Sequence, residues 1–215
     1  MFTHLHTHSE YSLLDGLCKI TDLVAEAKKN GSNSLALTDH GSLYGAVEFY
    51  KESKAAGIKP IIGVEAYVAP QGRHSRLPGD NQPYHLVLLA KNKQGYHNLL
   101  KLVTLSHLEG FYYRPRVDRE LLKQYNEGII ALSGCLAAEI PRAIAEGRLE
   151  DAREAAIWHS EVFEDYYLEL QRHNSVDDLA AVNDELIKMS GELSIPLVAT
   201  SPMPMYSNFW IRLPS

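Results

Sequence analysis

Short apolar runs alternate along this chain with longer segments of helical period. Seven runs have the length and residue types of buried strands: Phe2 to His6, Ser34 to Thr38, Ile61 to Tyr67, His85 to Ala90, Ile129 to Ser133, Tyr166 to Leu170 and Leu197 to Thr200. Several are near-continuous in Val, Ile and Leu, the pattern of parallel strands covered on both faces. Between them, Leu23, Val24 and Ala27 make one apolar helix face. Leu99, Leu100, Leu102, Val103 and Leu105 make a second, and Leu179, Val182, Leu186, Ile187 and Leu193 a third. Glycine follows the first two helical segments, at Lys29-Asn30-Gly31 and Ala55-Ala56-Gly57, where a left-handed residue can close a helix. The rhythm predicts repeated βα units. One connection, Ala69 to Tyr84, holds Pro70, Gly72, Pro78, Gly79 and Pro83 and reads as a surface loop. Seven strands in this order fit a barrel-like α/β domain or a doubly wound open sheet, and periodicity does not separate the two.

Composition narrows the class. At 215 residues, 45 % apolar and 22 % charged, the chain can bury a full core without disulfides. Its two cysteines, Cys18 and Cys135, show no framework spacing, as expected in a reducing cytoplasm. The start, Met1-Phe2-Thr3-His4-Leu5-His6, lacks the basic and apolar regions of a signal peptide, and no run is long enough to span a membrane. The net charge of −6 argues against a broad DNA-gripping surface, because such binding comes from Lys and Arg neutralising phosphates. Ten histidines make bound cations the alternative to test.

The histidines and acids fall at strand ends. The first run ends in His6-Thr7-His8, and residues two apart on a strand share a face. Asp15 follows in a loop placed to return a carboxylate to the same rim. The second run ends in Thr38-Asp39-His40-Gly41, with Asp39 either a ligand-side acid or a partner that holds the His40 imidazole. The third carries Glu65, Cys135 follows the fifth, and the sixth runs into Glu169, Gln171 and His173. A carboxylate such as Glu65 inside a strand must be paired or bound. In parallel barrels this rim is where sites are built. His and Cys suit zinc-like ions, while carboxylates also accept manganese or magnesium. Paired ions of this kind hydrolyse phosphoesters. Each member has a bland reading as well: His-x-His as surface histidines, Cys135 as an apolar filler. His85 stands at the start of its run, so parallel strands do not place it at the rim. His4, His74, His97, His107, His159 and His173 read as surface or core residues. The loop Gly110-Phe111-Tyr112-Tyr113-Arg114-Pro115-Arg116 offers two arginines beside three aromatics, either a phosphate- and base-binding surface or a packed loop with ion-paired arginines.

In their order, these motifs resemble the polymerase and histidinol phosphatase (PHP) domain, and in particular the version at the start of the bacterial DNA polymerase III alpha subunit. The resemblance rests on His4 to Gly16, Leu35 to Gly41, Gly63 to Tyr67, His85 to Ala90, Phe111 to Arg116 and Ser133 to Cys135. It implies a distorted seven-stranded β/α, TIM-like barrel over residues 1–200. It also implies two or three divalent ions, zinc or manganese with magnesium as a further option, held by His6, His8, Asp15, His40, Glu65, His85 and Cys135. His6, His8, Asp15, His40 and Glu65 take the catalytic role, and Arg114 and Arg116 the substrate-binding one. The implied activity is a phosphoesterase or 3′-to-5′ exonuclease acting on DNA 3′ ends. The implied partners are the rest of a polymerase chain and other replication subunits, with no membrane. Two other readings use the same residues: a structural scaffold for the polymerase, and a free-standing small-phosphate phosphatase. The paired carboxylates of a polymerase palm would lie outside this chain.

One departure stands out. After Val198-Ala199-Thr200 the family has an Asp-x-His pair, whereas this chain reads Ser201-Pro202-Met203-Pro204-Met205-Tyr206. The last strand is therefore expected to be atypical and residues 201–215 to be a divergent tail, from truncation, a frameshift or an unrelated fusion. Metal binding is expected to survive this loss better than catalysis.

Overall fold

The computed structural model of the protein describes residues 2–13, 16–171 and 178–200. The strands are β1 Ser34–Leu37, β2 Lys59–Val68, β3 Tyr84–Ala90, β4 Arg116–Val117, β5 Ile129–Leu132, β6 Asp165–Gln171 and β7 Leu197–Thr200. The helices are α1 Ile20–Lys29, α2 Ala46–Ala56, α3 Lys93–Leu108, α4 Arg119–Gln124, α5 Glu139–Ala145, α6 Leu149–Val162 and α7 Asp178–Leu193. The strands form one curled sheet in the order β1-β2-β3-β5-β6-β7, with β4 paired to β2. This is the distorted β/α barrel form expected from the sequence. No helix among the described residues is long and apolar enough to cross a membrane.

The continuous apolar runs are explained by burial on both faces. Along β3, Leu86 and Leu88 enter the large outer core with Leu99, Leu102 and Leu122. The alternate residues Val87 and Leu89 point inward, where they meet Ala36 of β1 and Leu132 of β5. On β1, Leu35 and Leu37 pack outward against Leu23, Val24 and Phe49. Period-two alternation thus survives, but both sides are dry. Gly57 closes α2 in the left-handed conformation at φ 76°, as its place in the sequence predicts.

Three features depart from the sequence reading. First, the run Phe2 to His6 is not a regular strand. The carbonyls of His4 and Thr7 accept from the N–H groups of Ala36 and Thr38, at 2.9 and 2.8 Å. Three residues on one side thus oppose two on the other, and the extra residue interrupts the ladder in the manner of a bulge. Second, β3 is antiparallel to both β2 and β5, because the Ala69 to Tyr84 connection carries no helix to bring the chain back to the other end. Third, the two-residue β4 pairs with Tyr67 and Val68 of β2, too short a strand to leave a periodic signal.

Candidate metal centre

The reversal of β3 resolves the position of His85. A strand that runs backwards puts its first residues at the rim where its neighbours end, and His85 lies directly across from Tyr67 near the end of β2. Glu65 stands two residues earlier on β2, opposite Val87 of the inner apolar layer. Its carboxylate is therefore 1 % exposed and rests on a dry floor.

Four imidazoles converge on that carboxylate. His6 Nε2 lies 3.3 Å and His85 Nδ1 2.9 Å from Glu65 Oε1. His8 Nε2 and His40 Nδ1 lie 3.2 and 3.0 Å from Oε2. Cys135 Sγ is 3.5 Å from both Glu65 Oε1 and His85 Nδ1. Two ligand triads result, His6-His8-Glu65 and His40-Glu65-His85, each with its donor atoms within 4.8 Å of one another. They share Glu65, so this one carboxylate could serve a cation held at either triad. The rings of His8 and His40 stack at 4.4 Å, 8° from parallel, and His40 stacks in turn on Tyr67 at 5.6 Å.

Behind this layer lies an acid that the sequence reading noted but left out of the ligand set. Glu169 of β6 is buried, and its Oε1 accepts from His6 Nδ1 at 2.8 Å, from Gln171 Nε2 at 2.9 Å and from the Thr200 hydroxyl. Glu169 Oε2 is also buried and has no hydrogen-bond partner among the described residues, and neither does His8 Nδ1. The signal that would have found Glu169 is the one used for Glu65: an acid in a strand buried on both faces.

The electrostatics match a cluster built for cations. Burial works against a charged His6, yet the carboxylates of Glu169 and Glu65 outweigh it and hold its pKa well above the usual histidine value. Burial likewise works against Glu65, but His6, His40 and His8 hold it well below the carboxylate range. Burial pushes the Cys135 thiol up, and Glu65 adds to the shift, so a thiolate there requires a nearby cation. Nitrogen, carboxylate and sulfur donors within reach of each other, with a buried carboxylate oxygen left unpartnered, fit divalent metal ions.

Other predicted residues fall elsewhere. Among the described residues, the hydrogen bonds of the Asp39 carboxylate go to Ser9 and Ser12. The carboxylate accepts from Ser9 N at 2.7 Å and from the Ser9 and Ser12 hydroxyls, both at 2.8 Å, while His40 N donates to Ser12 Oγ at 3.1 Å. Asp39 thus folds the Ser9–Ser12 turn over the site. Gly41 follows at φ +58°, where a Cβ would come 2.8 Å from Pro115. Asp15, His173 and the tail from Ser201 to Ser215 lie outside the described residues.

Arg116 corrects the expectation of a substrate-binding arginine. It is 0 % exposed and donates to the carbonyls of Gly110, Asp80, Arg73 and Ser75 at 2.9–3.0 Å. With its donors spent on backbone, it ties the Ala69–Tyr84 loop to the Gly110–Arg116 loop and cannot reach a phosphate. Arg114 is exposed, sits 5.6 Å over the Tyr67 ring and lines an open cleft of about 470 Å³ beside His40 and His85. His107, read as a surface or core residue, also lines this cleft and donates from Nε2 to Gly41 O at 3.1 Å.

Comparison with known proteins agrees with this geometry: the profile of the PHP domain matches residues 4–173. The chain belongs to the PHP domain family. Over 203 residues it is 53 % identical to the DNA polymerase III subunit alpha of Borreliella burgdorferi, a match covering 93 % of this chain and 18 % of that protein. It is 45 % identical over 206 residues to that of Thermus aquaticus, covering 93 % of this chain and 17 % of that protein. The PHP domain chain thus spans less than a fifth of the length of these relatives. Among solved structures, a Bifidobacterium adolescentis protein described as a metal-dependent phosphoesterase shares the fold. Its TM-score is 0.57 at 14 % identity, over 93 % of this chain and 86 % of that one. An amidohydrolase from Chromobacterium violaceum, solved with bound sulfate and no metal, aligns with TM-score 0.52 at 14 % identity, over 94 % and 88 % of the two chains.

Proposed function

We propose that this chain is the N-terminal PHP module of a bacterial replicative DNA polymerase alpha chain and a metal-dependent phosphoesterase directed at DNA 3′ ends in the cytoplasm. One observation carries the reading: a single buried carboxylate, Glu65, is shared by two histidine pairs. Two ions, zinc or manganese, would be held by His6, His8 and Glu65 on one side and by His40, Glu65 and His85 on the other, with Cys135 and Glu169 adjoining. The role of Asp15 as a further ligand rests on sequence resemblance alone. When bound, such ions supply Lewis acidity toward a phosphoryl oxygen and a water. The chain's own residues do the rest. Glu169 accepts from Nδ1 of His6 and so presents Nε2 to the site. The apolar layer of Val87, Leu89 and Leu132 keeps water from beneath Glu65. Asp39, through Ser9 and Ser12, holds the loop over the rim. Arg114 supplies the cation at the cleft that a phosphate can meet.

A second reading has one specific observation in its favour. Where the family resemblance implies an Asp-x-His pair of ligands, this chain reads Ser201-Pro202-Met203-Pro204, while the His6-His8-Glu65 and His40-Glu65-His85 triads are both present. On that reading the module keeps ions for stability and organises the polymerase and other replication subunits.

The purified chain, titrated with zinc or manganese and offered a 3′-labelled single-stranded oligonucleotide and a small phosphate ester, separates these readings. Ion binding with release of 3′ nucleotides supports the enzyme. Ion binding without turnover on either substrate supports the scaffold. A chain that retains no ion overturns both.

A further inference from the structure

The proposed phosphoesterase leaves unexplained the wall of the cleft beside His40 and His85. That wall is aromatic and exposed: Tyr44 and Tyr113 are each 69 % exposed and Phe111 is 55 %, and all three line the cleft. Large rings left open to water at this level mark a binding surface rather than a core. The surface is continuous with the metal centre, because His8, His40 and Tyr67 form a stack that Arg114 caps from outside. Among the described residues that line the cleft, Arg114 is the one Lys or Arg. A groove that tracks a long phosphate backbone needs several cations. A pocket for one nucleotide needs one cation for the phosphate and rings for the base.

Tyr113 carries a second, independent mark. Its φ is +58°, a left-handed conformation in which a bulky side chain meets a steric penalty. Strain of this kind persists where surrounding structure imposes it, and it clusters at ligand-binding sites. Burial does not compensate it here, since the ring lies in solvent. The anchored Arg116 on one side and the Tyr112–Arg114 bridge on the other hold the strained tip in place.

We propose that this cleft is a nucleoside subsite: the terminal base of an unpaired strand stacks on Tyr113 and Phe111, and its phosphate lies between Arg114 and the His40–His85 side of the metal centre. The subsite deepens the phosphoesterase reading and rests on it. A paired terminal base must give up its partner and its inner stack before it can turn into the cleft, a cost of a few kcal/mol, so the subsite selects single-stranded or frayed ends over paired ones. It also selects nucleotides over base-free phosphoesters.

The test is a binding measurement on the whole 215-residue chain that does not depend on turnover. The fluorescent nucleotide 2-aminopurine deoxynucleoside 5′-monophosphate is titrated with and without added manganese, and quenching by stacking is read. The wild type is expected to quench it. Combining Tyr113→Gly with Phe111→Ala is expected to weaken binding about tenfold or more. Tyr113→Gly alone is expected to melt no lower than wild type, because glycine relieves the positive φ. Equal binding by wild type and double variant overturns the proposal, as does equal competition by base-free deoxyribose 5-phosphate. A wild type that does not quench also overturns it, and leaves the aromatic wall as a surface for a protein partner. Quenching in a chain that fails to hydrolyse any phosphoester would sink the phosphoesterase reading while leaving the base subsite intact.

Discussion

Thr200 is hydrogen-bonded to Glu169 across the β6–β7 pair, its hydroxyl donating to Glu169 Oε1. The bond follows from register: Glu169 lies across from Val198 and Gln171 from Thr200. The seventh strand therefore reaches the proposed metal centre through Glu169. What changes in this chain is the text that follows Thr200, not the strand that delivers it.

Glu169→Gln removes the charge that orients His6 while keeping the shape of the side chain. Partners behind a metal-ligating histidine are worth about 10- to 100-fold in metal affinity. A loss in that range for zinc, measured by competition with a chelating dye, is expected. Unchanged affinity would show that His6 needs no acid behind it.

Positions 202 and 204 share the parity of Thr200 along the chain. Pro202→Asp together with Pro204→His writes an Asp-x-His pair there. Oligonucleotide hydrolysis is expected to rise at least about tenfold, the scale of one added catalytic interaction, while ion binding at the His40-Glu65-His85 triad changes less. Equal turnover in parent and variant would refute the idea that this loss impairs catalysis.

Glu65→Gln leaves four imidazoles facing a neutral amide. Stoichiometric ion binding is expected to disappear, as read by calorimetric titration. In the metal-free chain, stability should fall by about 3 kcal/mol, the scale of breaking a buried ion pair. Retention of two ions by this variant would remove the central support for the function proposed.

Arg114 and Arg116 are two positions apart and should respond in opposite ways. Arg116→Ala strands the buried carbonyls of Gly110 and Asp80, takes one of two donors from those of Arg73 and Ser75, which Arg76 also bonds, and is expected to destabilise the fold by about 3 kcal/mol or more in urea. Arg114→Ala should change stability by less than about 0.5 kcal/mol and raise KM for a nucleotide substrate. A reversed pattern would mean that the roles read from burial are wrong.

Acid should weaken the fold partly through Asp118. Burial works against its charge, but the backbone N–H groups of Arg73 and Leu121 and the Arg73 guanidinium hold its pKa below the ordinary aspartate value. The folded value is thus depressed. Its stabilisation is fully present above the unfolded pKa of about 3.9 and is lost as pH falls through the lower folded value. Asp118→Asn should flatten the fall in stability below about pH 4, although Glu65 and Glu169 add acid sensitivity of the same sign. Identical pH slopes in urea unfolding of the two proteins would exclude the contribution.

Locality decides what is legible in the sequence. Six of the expected strand runs and the helix faces were visible because each is local: a run dry on both sides must be apolar throughout, and a helix face repeats every three or four residues. The motifs were visible for the same reason, since His6-Thr7-His8 and Thr38-Asp39-His40-Gly41 each lie within a few residues. Local chemistry also allowed Arg116 to be read as a phosphate ligand, because nothing in the neighbouring residues reveals four carbonyls arriving from Arg73, Ser75, Asp80 and Gly110.

The sequence by itself determined the donor types, their order and, for His40, Glu65, His85 and Glu169, the strands on or just beyond which they lie. Tertiary structure alone decided which of them meet. His85 reaches the rim only because β3 runs backwards, a consequence of a connection without a helix. Glu65 becomes the shared carboxylate only because the curled sheet brings His6, His8, His40 and His85 to its two oxygens from far-apart segments. Pairing direction and sheet curvature are properties of how strands dock on one another, so residues that depend on them carry no mark in their own neighbourhood.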